Sequence, residues 1–196
     1  MSATNRGLQR NEKDAYPTPS WCTEVLMPQI AWGEQPRILE PCVGDGAILD
    51  VIRPVTESIE VCEIADPYCI DFLTYQPSQR IDFIVTNPPF SMAQEFIEHA
   101  LDLANCVIML LPLGFYGSKE RHEWWTQYEP SAQFVLSRRP SFSRNKDGKW
   151  GTDSESYAWV CWDSTGRQKR GFYHLNPTDE QYERSVKDFR KRYANK

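Results

Sequence analysis

Arg37-Ile38-Leu39-Glu40-Pro41-Cys42-Val43-Gly44-Asp45-Gly46-Ala47 is the stretch on which the reading of the fold turns. A short apolar piece stops at Glu40-Pro41 and opens into a Gly44-Asp45-Gly46 turn, and Ala47 to Arg53 then reads as a short helix. Glycines at such a turn let backbone amides approach a ligand closely, and the start of the helix offers unpaired donors. A third glycine is missing, so the stretch is not the dinucleotide-binding fingerprint. By itself the turn reads equally as a ligand cradle and as a tight connection.

Working outward, the chain alternates strands and helices. Residues 1–15 are polar, and Ser20 is placed to cap a helix running to Met27 between Pro19 and Pro28. Ile59–Ile64 alternates apolar and acidic residues as a strand does. Ile81–Thr86 is a further strand, ended abruptly by Asn87-Pro88-Pro89. From Ser91 to Ala104, Phe96, Ile97, Ala100, Leu101 and Ala104 recur at helical spacing. Val107–Leu111 is a buried-strand run and Glu120–Tyr128 a helix. Gln133–Leu136 and Tyr157–Trp162, with no helix between them, are expected as an antiparallel hairpin at one sheet edge. Residues 178–194 form a charged helix whose Arg184, Lys187, Arg190, Lys191 and Arg192 are expected to face solvent. This alternation predicts an α/β sheet covered on both faces, in a single domain over residues 1–196.

Composition narrows the class. With 7 Trp, 9 Tyr and 9 Phe in 196 residues, the chain carries too much aromatic surface to be largely disordered. Its longest apolar run, Val107–Leu113, is about a third of a membrane span. The polar N-terminus lacks the apolar core of a secretory signal, so a soluble protein of the cytoplasm with no membrane partner is expected. The six cysteines include no C-x-x-C pair and the three histidines are scattered, which predicts inert thiols and no metal site. The net charge of −5 hides a segregation: residues 1–118 hold 6 basic and 16 acidic residues, residues 119–196 hold 16 basic and 11 acidic. Such asymmetry points to a polyanion partner for the second half.

Two further features join the glycine turn. Glu63 lies 19 residues beyond Gly44, where nucleotide-type sites place the carboxylate that holds a ribose. Asp71-Phe72 is able to accept from an adenine amine and pack on its ring. Asn87-Pro88-Pro89-Phe90 sits at the carboxyl end of a strand, the edge where open α/β sheets bind ligands. Two prolines fix the backbone and remove two N–H donors, which leaves carbonyls as acceptors. The Asn87 side-chain oxygen and the Pro88 carbonyl would hold the hydrogens of a planar amine and favour a pyramidal, nucleophilic nitrogen, with Phe90 as a stacking face. The competing reading is a proline-rich strand terminator.

Asp14-Ala15-Tyr16-Pro17-Thr18-Pro19, Glu40–Gly46, Asp71-Phe72-Leu73 and Thr86–Phe90, in that order over about residues 14–115, resemble the S-adenosylmethionine-dependent N6-adenine DNA methyltransferases. Leu136-Ser137-Arg138-Arg139-Pro140-Ser141-Phe142 followed by Tyr157–Trp162 is similar to small phage-encoded members, which would work in a bacterial host's cytoplasm. The resemblance implies a Rossmann-like class I methyltransferase fold, a mostly parallel sheet with an antiparallel last strand. It implies S-adenosylmethionine contacts from Tyr16, Thr18, Glu40, Pro41, Gly44 and Gly46. Glu63 would hold the ribose, Asp71 and Phe72 the cofactor's adenine, and Asn87, Pro88, Pro89 and Phe90 the target base.

The chain departs from the family in leaving no room for a target-recognition domain. The candidate replacement is the loop at about residues 140–156, in which Phe142 and Trp150 are interleaved with Arg144, Lys146 and Lys149 beside Arg138 and Arg139. Basic side chains on phosphates and aromatics on bases are the usual ingredients of nucleic-acid binding. An ordinary exposed hairpin loop is the equal alternative. DNA is the expected partner, with RNA as the second choice, and monomer or homodimer is left open. An RNA base amine or a protein glutamine amide is the alternative acceptor. A non-catalytic nucleic-acid-binding module on the same fold is the reading from another class.

Overall fold

The computed structural model describes residues 17–64, 70–144 and 150–193, and for Ser143, Arg144 and Trp150 the backbone alone. The elements run α1 (Ser20–Glu24), β1 (Ile38–Glu40), α2 (Ala47–Ile52), β2 (Ile59–Val61), β3 (Ile81–Thr86), α3 (Ala93–Leu103), β4 (Ala104–Pro112), α4 (His122–Gln127), β5 (Ala132–Leu136), β6 (Ser143–Arg144), β7 (Trp150–Gly151), β8 (Tyr157–Asp163), β9 (Gly171–Leu175) and α5 (Asp179–Arg192). Seven strands form one sheet in the order β2-β1-β3-β4-β8-β5-β9, and β6 pairs with β7 in a separate ribbon. All neighbours are parallel except those of β8, which runs antiparallel to both β4 and β5.

The expected α/β architecture, mostly parallel with one reversed strand, is present. Its right-hand end differs in detail from the sequence reading. The β5–β8 pair is antiparallel as expected, but β8 lies inside the sheet, and β9 follows it in the chain and forms the edge. Six of the seven residues of β8 are buried, as a strand covered on both faces requires. The edge strand β9 escaped notice because Gly171-Phe172-Tyr173-His174-Leu175 is short and mostly exposed, with Phe172 60% accessible. The strand β4 begins three residues earlier than its apolar run. Asn105 interrupts that run in sequence, yet its amide is used up by Arg80 and Asp82.

Two apolar layers sandwich the sheet. On one face α1 and α2 bring Trp21, Leu26, Ile48 and Ile52 onto Ile38, Val85, Ile108, Leu110, Phe134 and Trp159. On the other, α3 and α4 bring Phe96, Ile97, Ala100 and Trp124 onto Leu39, Ile84, Val107, Met109 and Val160. The alternate residues of β4 thus feed both layers, which is why its sequence is continuously apolar. Trp159 is fully buried and its indole N–H donates to the Cys22 carbonyl at 2.7 Å, locking α1 to the sheet centre. Burying one such ring contributes about 2–3 kcal/mol. The α1 helix starts at Ser20 with Pro19 as its cap, so Ser20 is its first residue and not the expected cap. The Ser20 hydroxyl instead donates to Ser185 in α5 at 2.9 Å.

Among the described cysteines all are free thiols. Burial pushes the Cys62 thiol up to about 12 and raises Cys22 and Cys42 as well, so these groups stay protonated at neutral pH. No group of three metal-ligating side chains occurs among the described residues, and no helix there is long and apolar enough to cross a membrane.

Candidate active site

The carboxyl ends of β1, β2 and β3 converge on a cavity of about 560 Å³, within the 300–1,000 Å³ range of small-molecule sites. The parallel strands put three loops there: the glycine turn after β1, the segment after β2, and Asn87-Pro88-Pro89 after β3.

The glycine turn has the backbone its sequence calls for. Gly44 and Gly46 adopt φ of 50° and 82°, left-handed values that cost other residues energy. The Gly46 amide donates to Val43 O at 2.7 Å, closing the turn, and the Gly44 amide donates to Glu63 Oε2 at 2.7 Å. Glu63 therefore uses one oxygen to brace the turn and borders the cavity with the rest of its carboxylate. Gly44 and Pro41 line the cavity, whereas Gly46 is absent from its wall and acts through the turn.

Glu40 is the most unusual group of the site. Its side chain is 1% accessible, lines the cavity, and its Oε2 has no hydrogen-bond partner among the described residues. Burial first, then the nearby Asp45, Asp50 and Glu63 carboxylates, push its carboxyl well above the usual range. A buried carboxyl with an orphan oxygen is costly until a cation or donor meets it.

Asn87 follows the last residue of β3, and its Nδ2 donates to Thr18 Oγ1 at 3.0 Å. That bond assigns the amide's donor end to Thr18 and makes the oxygen its acceptor. Thr18 is buried and lines the cavity with Pro17, so the segment before α1 forms part of its wall. Asn87 and Pro89 line the cavity. Phe90 is not part of the cavity lining; its ring lies 5.8 Å from that of Tyr157 at the start of β8, on the same carboxyl edge of the sheet.

Asp71 caps a short 3-10 turn, its Oδ1 accepting from the Leu73 amide at 3.0 Å, and it lines the cavity. Phe72 borders the cavity as well, but its ring is buried against Phe96 and His99, with centroids 5.0 and 4.9 Å away. Tyr16 lies outside the described residues.

The substrate-side candidates fare differently. Phe142, expected as an exposed stacking aromatic, is 2% accessible and packs edge-on against Tyr157 at 4.9 Å. Its neighbours are core residues because β8 runs through the interior of the sheet beside it. Arg138 pairs with Asp179 and lies over the Tyr182 ring at 4.4 Å, and Arg139 Nη1 donates to Ser154 O at 3.2 Å. Lys146 and Lys149 lie outside the described residues, as do the side chains of Arg144 and Trp150. Their segment begins and ends in the β6–β7 ribbon.

Several lining residues were not picked out from the sequence. Ile64 and Met92, 73% and 40% accessible, make an apolar rim to the cavity. Tyr193, just beyond α5, lines it from the far end of the chain. The helix read as a solvated face does expose Lys187, Arg190 and Lys191. Yet Arg184 pairs with Glu24, and Arg192 with Asp45 and Asp50. A signal was present: Tyr182, Ser185, Phe189 and Tyr193 recur at helical spacing and form the face turned inward.

No protein-family model matches this sequence, and no curated protein matches it. Solved structures do resemble the fold. The type I restriction-modification system methyltransferase subunit from Streptococcus thermophilus superposes with a TM-score of 0.54 at 13% identity, over 97% of this chain and 55% of that one. A dimethyladenosine transferase from Plasmodium falciparum gives 0.53 at 11% identity, over 86% and 64%. Precorrin-6y C5,15-methyltransferase from Geobacter metallireducens gives 0.51 at 8% identity, over 80% and 93%. This chain thus spans just over half the length of the first. The fold is the Rossmann-like fold of methyltransferases, one shared by enzymes named for quite different acceptors, so the acceptor has to be argued from the site.

Proposed function

We propose that this chain binds S-adenosylmethionine in the cavity and transfers its methyl group to the exocyclic N6 amine of adenine in DNA. The observation that carries the reading is the placement of Asn87. It stands at the carboxyl end of β3 on the wall of the cavity, held by Thr18, and shares that cavity with the glycine turn and the buried Glu40. The methyltransferase fold supports the cofactor, and the lining supports it independently. Glu40, Asp45, Glu63 and Asp71 all border the cavity, which suits a ligand that carries positive charge.

S-adenosylmethionine supplies an electrophilic methyl on a sulfonium, so that transfer breaks an S–C bond and forms an N–C bond. In this reading the orphan oxygen of Glu40 receives the cofactor's ammonium group, and ionisation of the carboxyl accompanies binding. Glu63, already braced on the Gly44 amide, holds the ribose hydroxyls. Asp71 takes the adenine amine, beside Phe72. The Asn87 oxygen and the Pro88 carbonyl accept the two hydrogens of the target amine and draw its lone pair out of conjugation. Phe90, backed by Tyr157, supports the base plane. The amine's proton leaves to solvent after transfer, so the chain needs no general base beforehand.

A nucleic-acid acceptor is supported by the basic groups on the same sheet edge. Lys119 and Arg121 follow β4, and Arg138 and Arg139 follow β5, at the carboxyl ends of strands parallel to β3. An amine within a duplex is out of reach of such a cavity, so duplex DNA must present a flipped base.

The decisive experiment incubates the protein with isotopically labelled S-adenosylmethionine and, separately, single-stranded DNA, duplex DNA, RNA and a protein extract. The modified product is then identified by mass spectrometry. N6-methyladenine in DNA is the expected product. Label in RNA, in glutamine amides or in no acceptor overturns the DNA reading.

A further inference from the structure

The helix α5 spans 14 residues, about 21 Å at 1.5 Å per residue, and it contacts both α1 and the glycine turn. Near its middle, Ser185 Oγ accepts from the Trp21 amide at 3.0 Å, and Arg184 pairs with Glu24 at 2.6 Å. These contacts hold α1, the helix that follows the Pro17-Thr18 wall. At its end, Arg192 reaches Asp45 Oδ2 at 3.4 Å and Asp50 Oδ2 at 2.8 Å, and the Tyr193 hydroxyl donates to the same Asp45 carboxylate. Asp45 is the central residue of the glycine turn, and its other oxygen accepts from the Ala47 amide at 3.3 Å.

An exposed ion pair at a helix end is ordinarily worth little. Two things set this one apart. The Tyr193 ring is buried, packs tilted against Phe189 with centroids 4.8 Å apart, and lines the cavity itself. The carboxylate that Arg192 and Tyr193 grip sits between Gly44 and Gly46, whose left-handed backbones give the turn its shape. Glycine-flanked backbone has no side chains to hold it, so the grip on Asp45 is a tertiary restraint on the turn.

We infer that Arg192 and Tyr193 are positioning residues of the cofactor site: they hold Asp45, and with it the glycine turn, in the shape that receives the cofactor. The inference rests on the cavity being an S-adenosylmethionine site. Arg192 has a second consequence, because it offsets the charge of Asp45 beside a lining that already contains Glu40 and Glu63. The methyl donor carries a sulfonium charge that the demethylated product, S-adenosylhomocysteine, lacks. Arg192 therefore sets how strongly the site prefers donor over product.

The test is calorimetric titration of the full chain and its variants with both compounds, alongside thermal melts. Tyr193→Phe removes one donor to a carboxylate and changes no charge. It is expected to weaken both ligands by about tenfold with their ratio unchanged. Arg192→Gln leaves Asp45 uncompensated, so affinities fall while the preference for donor over product rises about threefold, the effect of one nearby charge in a partly solvated cavity. Asp45→Asn lowers that preference by about the same factor. Lys187→Gln, on the exposed face of α5, removes a charge away from the turn and leaves the preference unchanged.

A wild-type chain that binds neither compound overturns the cofactor reading itself. A wild type that binds, with Arg192→Gln and Tyr193→Phe binding equally well, overturns the inference alone. Equal losses for both ligands in all variants, tracking a lowered melting temperature, reduce the contact to a fold-holding one and also overturn it.

Discussion

The cavity at the carboxyl ends of β1, β2 and β3 and the segment between β5 and β8 are built differently. The cavity wall is shaped by left-handed glycines, by a side-chain carboxylate braced on a backbone amide, and by the buried Glu40. The basic side chains after β5 are held near the surface, Arg138 by an ion pair with Asp179 and Arg139 by a hydrogen bond to the Ser154 carbonyl. A surface ion pair of this kind contributes about 0–1 kcal/mol. One region is thus shaped before any ligand arrives, and the other is held by contacts that solvent reaches. A single ring system joins them, Phe90 on Tyr157 and Tyr157 on Phe142, with the Tyr157 hydroxyl on Asp153 at 2.8 Å.

The contrast is broken most severely at Asn87. Asn87→Ala is expected to lower single-turnover methyl transfer by at least about 100-fold, the scale of losing one preorganised group at the reacting atom. S-adenosylmethionine affinity by calorimetry stays close to wild type. Turnover at the wild-type rate removes Asn87 from the reaction.

Phe142→Ala tests whether that residue belongs to the core or to the substrate. As a buried ring it is expected to destabilise the fold by about 3 kcal/mol in urea denaturation. A mutant of unchanged stability that binds nucleic acid poorly returns Phe142 to the substrate side.

Glu40→Gln sharpens the other half. Because burial raises the carboxyl above its unfolded value, the folded chain keeps a proton that the unfolded chain has lost. Stability from this group falls as pH climbs from the ordinary carboxylate range toward the raised value. The Gln variant is therefore expected to melt higher than wild type near neutral pH, by about 2–4 °C per kcal/mol, and to match it in acid. Cofactor affinity of the wild type rises with pH over the same window, with proton release on binding, whereas the variant binds weakly and without that dependence. Titrations in buffers of different ionisation enthalpy check the proton count.

The smallest effect is expected at Arg139→Ala, a few-fold loss of nucleic-acid affinity and a salt slope shallower by about one, with transfer at saturation unchanged. An unaltered slope shows that Arg139 meets no phosphate.

Much of the site was legible because its motifs are local. Gly44, Asn87, Pro88 and Pro89 restrict or free their own backbone, and a strand before each places it on the carboxyl edge. Glu63 follows from its spacing beyond Gly44 and Asp71 from the family resemblance, and both line the cavity. What escaped was non-local. Thr18 was read as a cofactor residue, yet its clearest bond is to Asn87, 69 residues away. The edge strand β9 has too few buried positions to leave a period.

The sequence by itself determined the alternation of strands and helices and the chemical kinds of residue at each strand end. Periodicity, glycine and proline act on the few residues around them, so their message survives without neighbours. Only the tertiary structure decided which of those residues meet. It put β8 inside the sheet, which buried Phe142. It also brought α5 back across α1, so that Arg192 and Tyr193 close on Asp45 almost 150 residues earlier. Such meetings depend on which apolar faces pack together, and that is a property of the whole core rather than of any one segment.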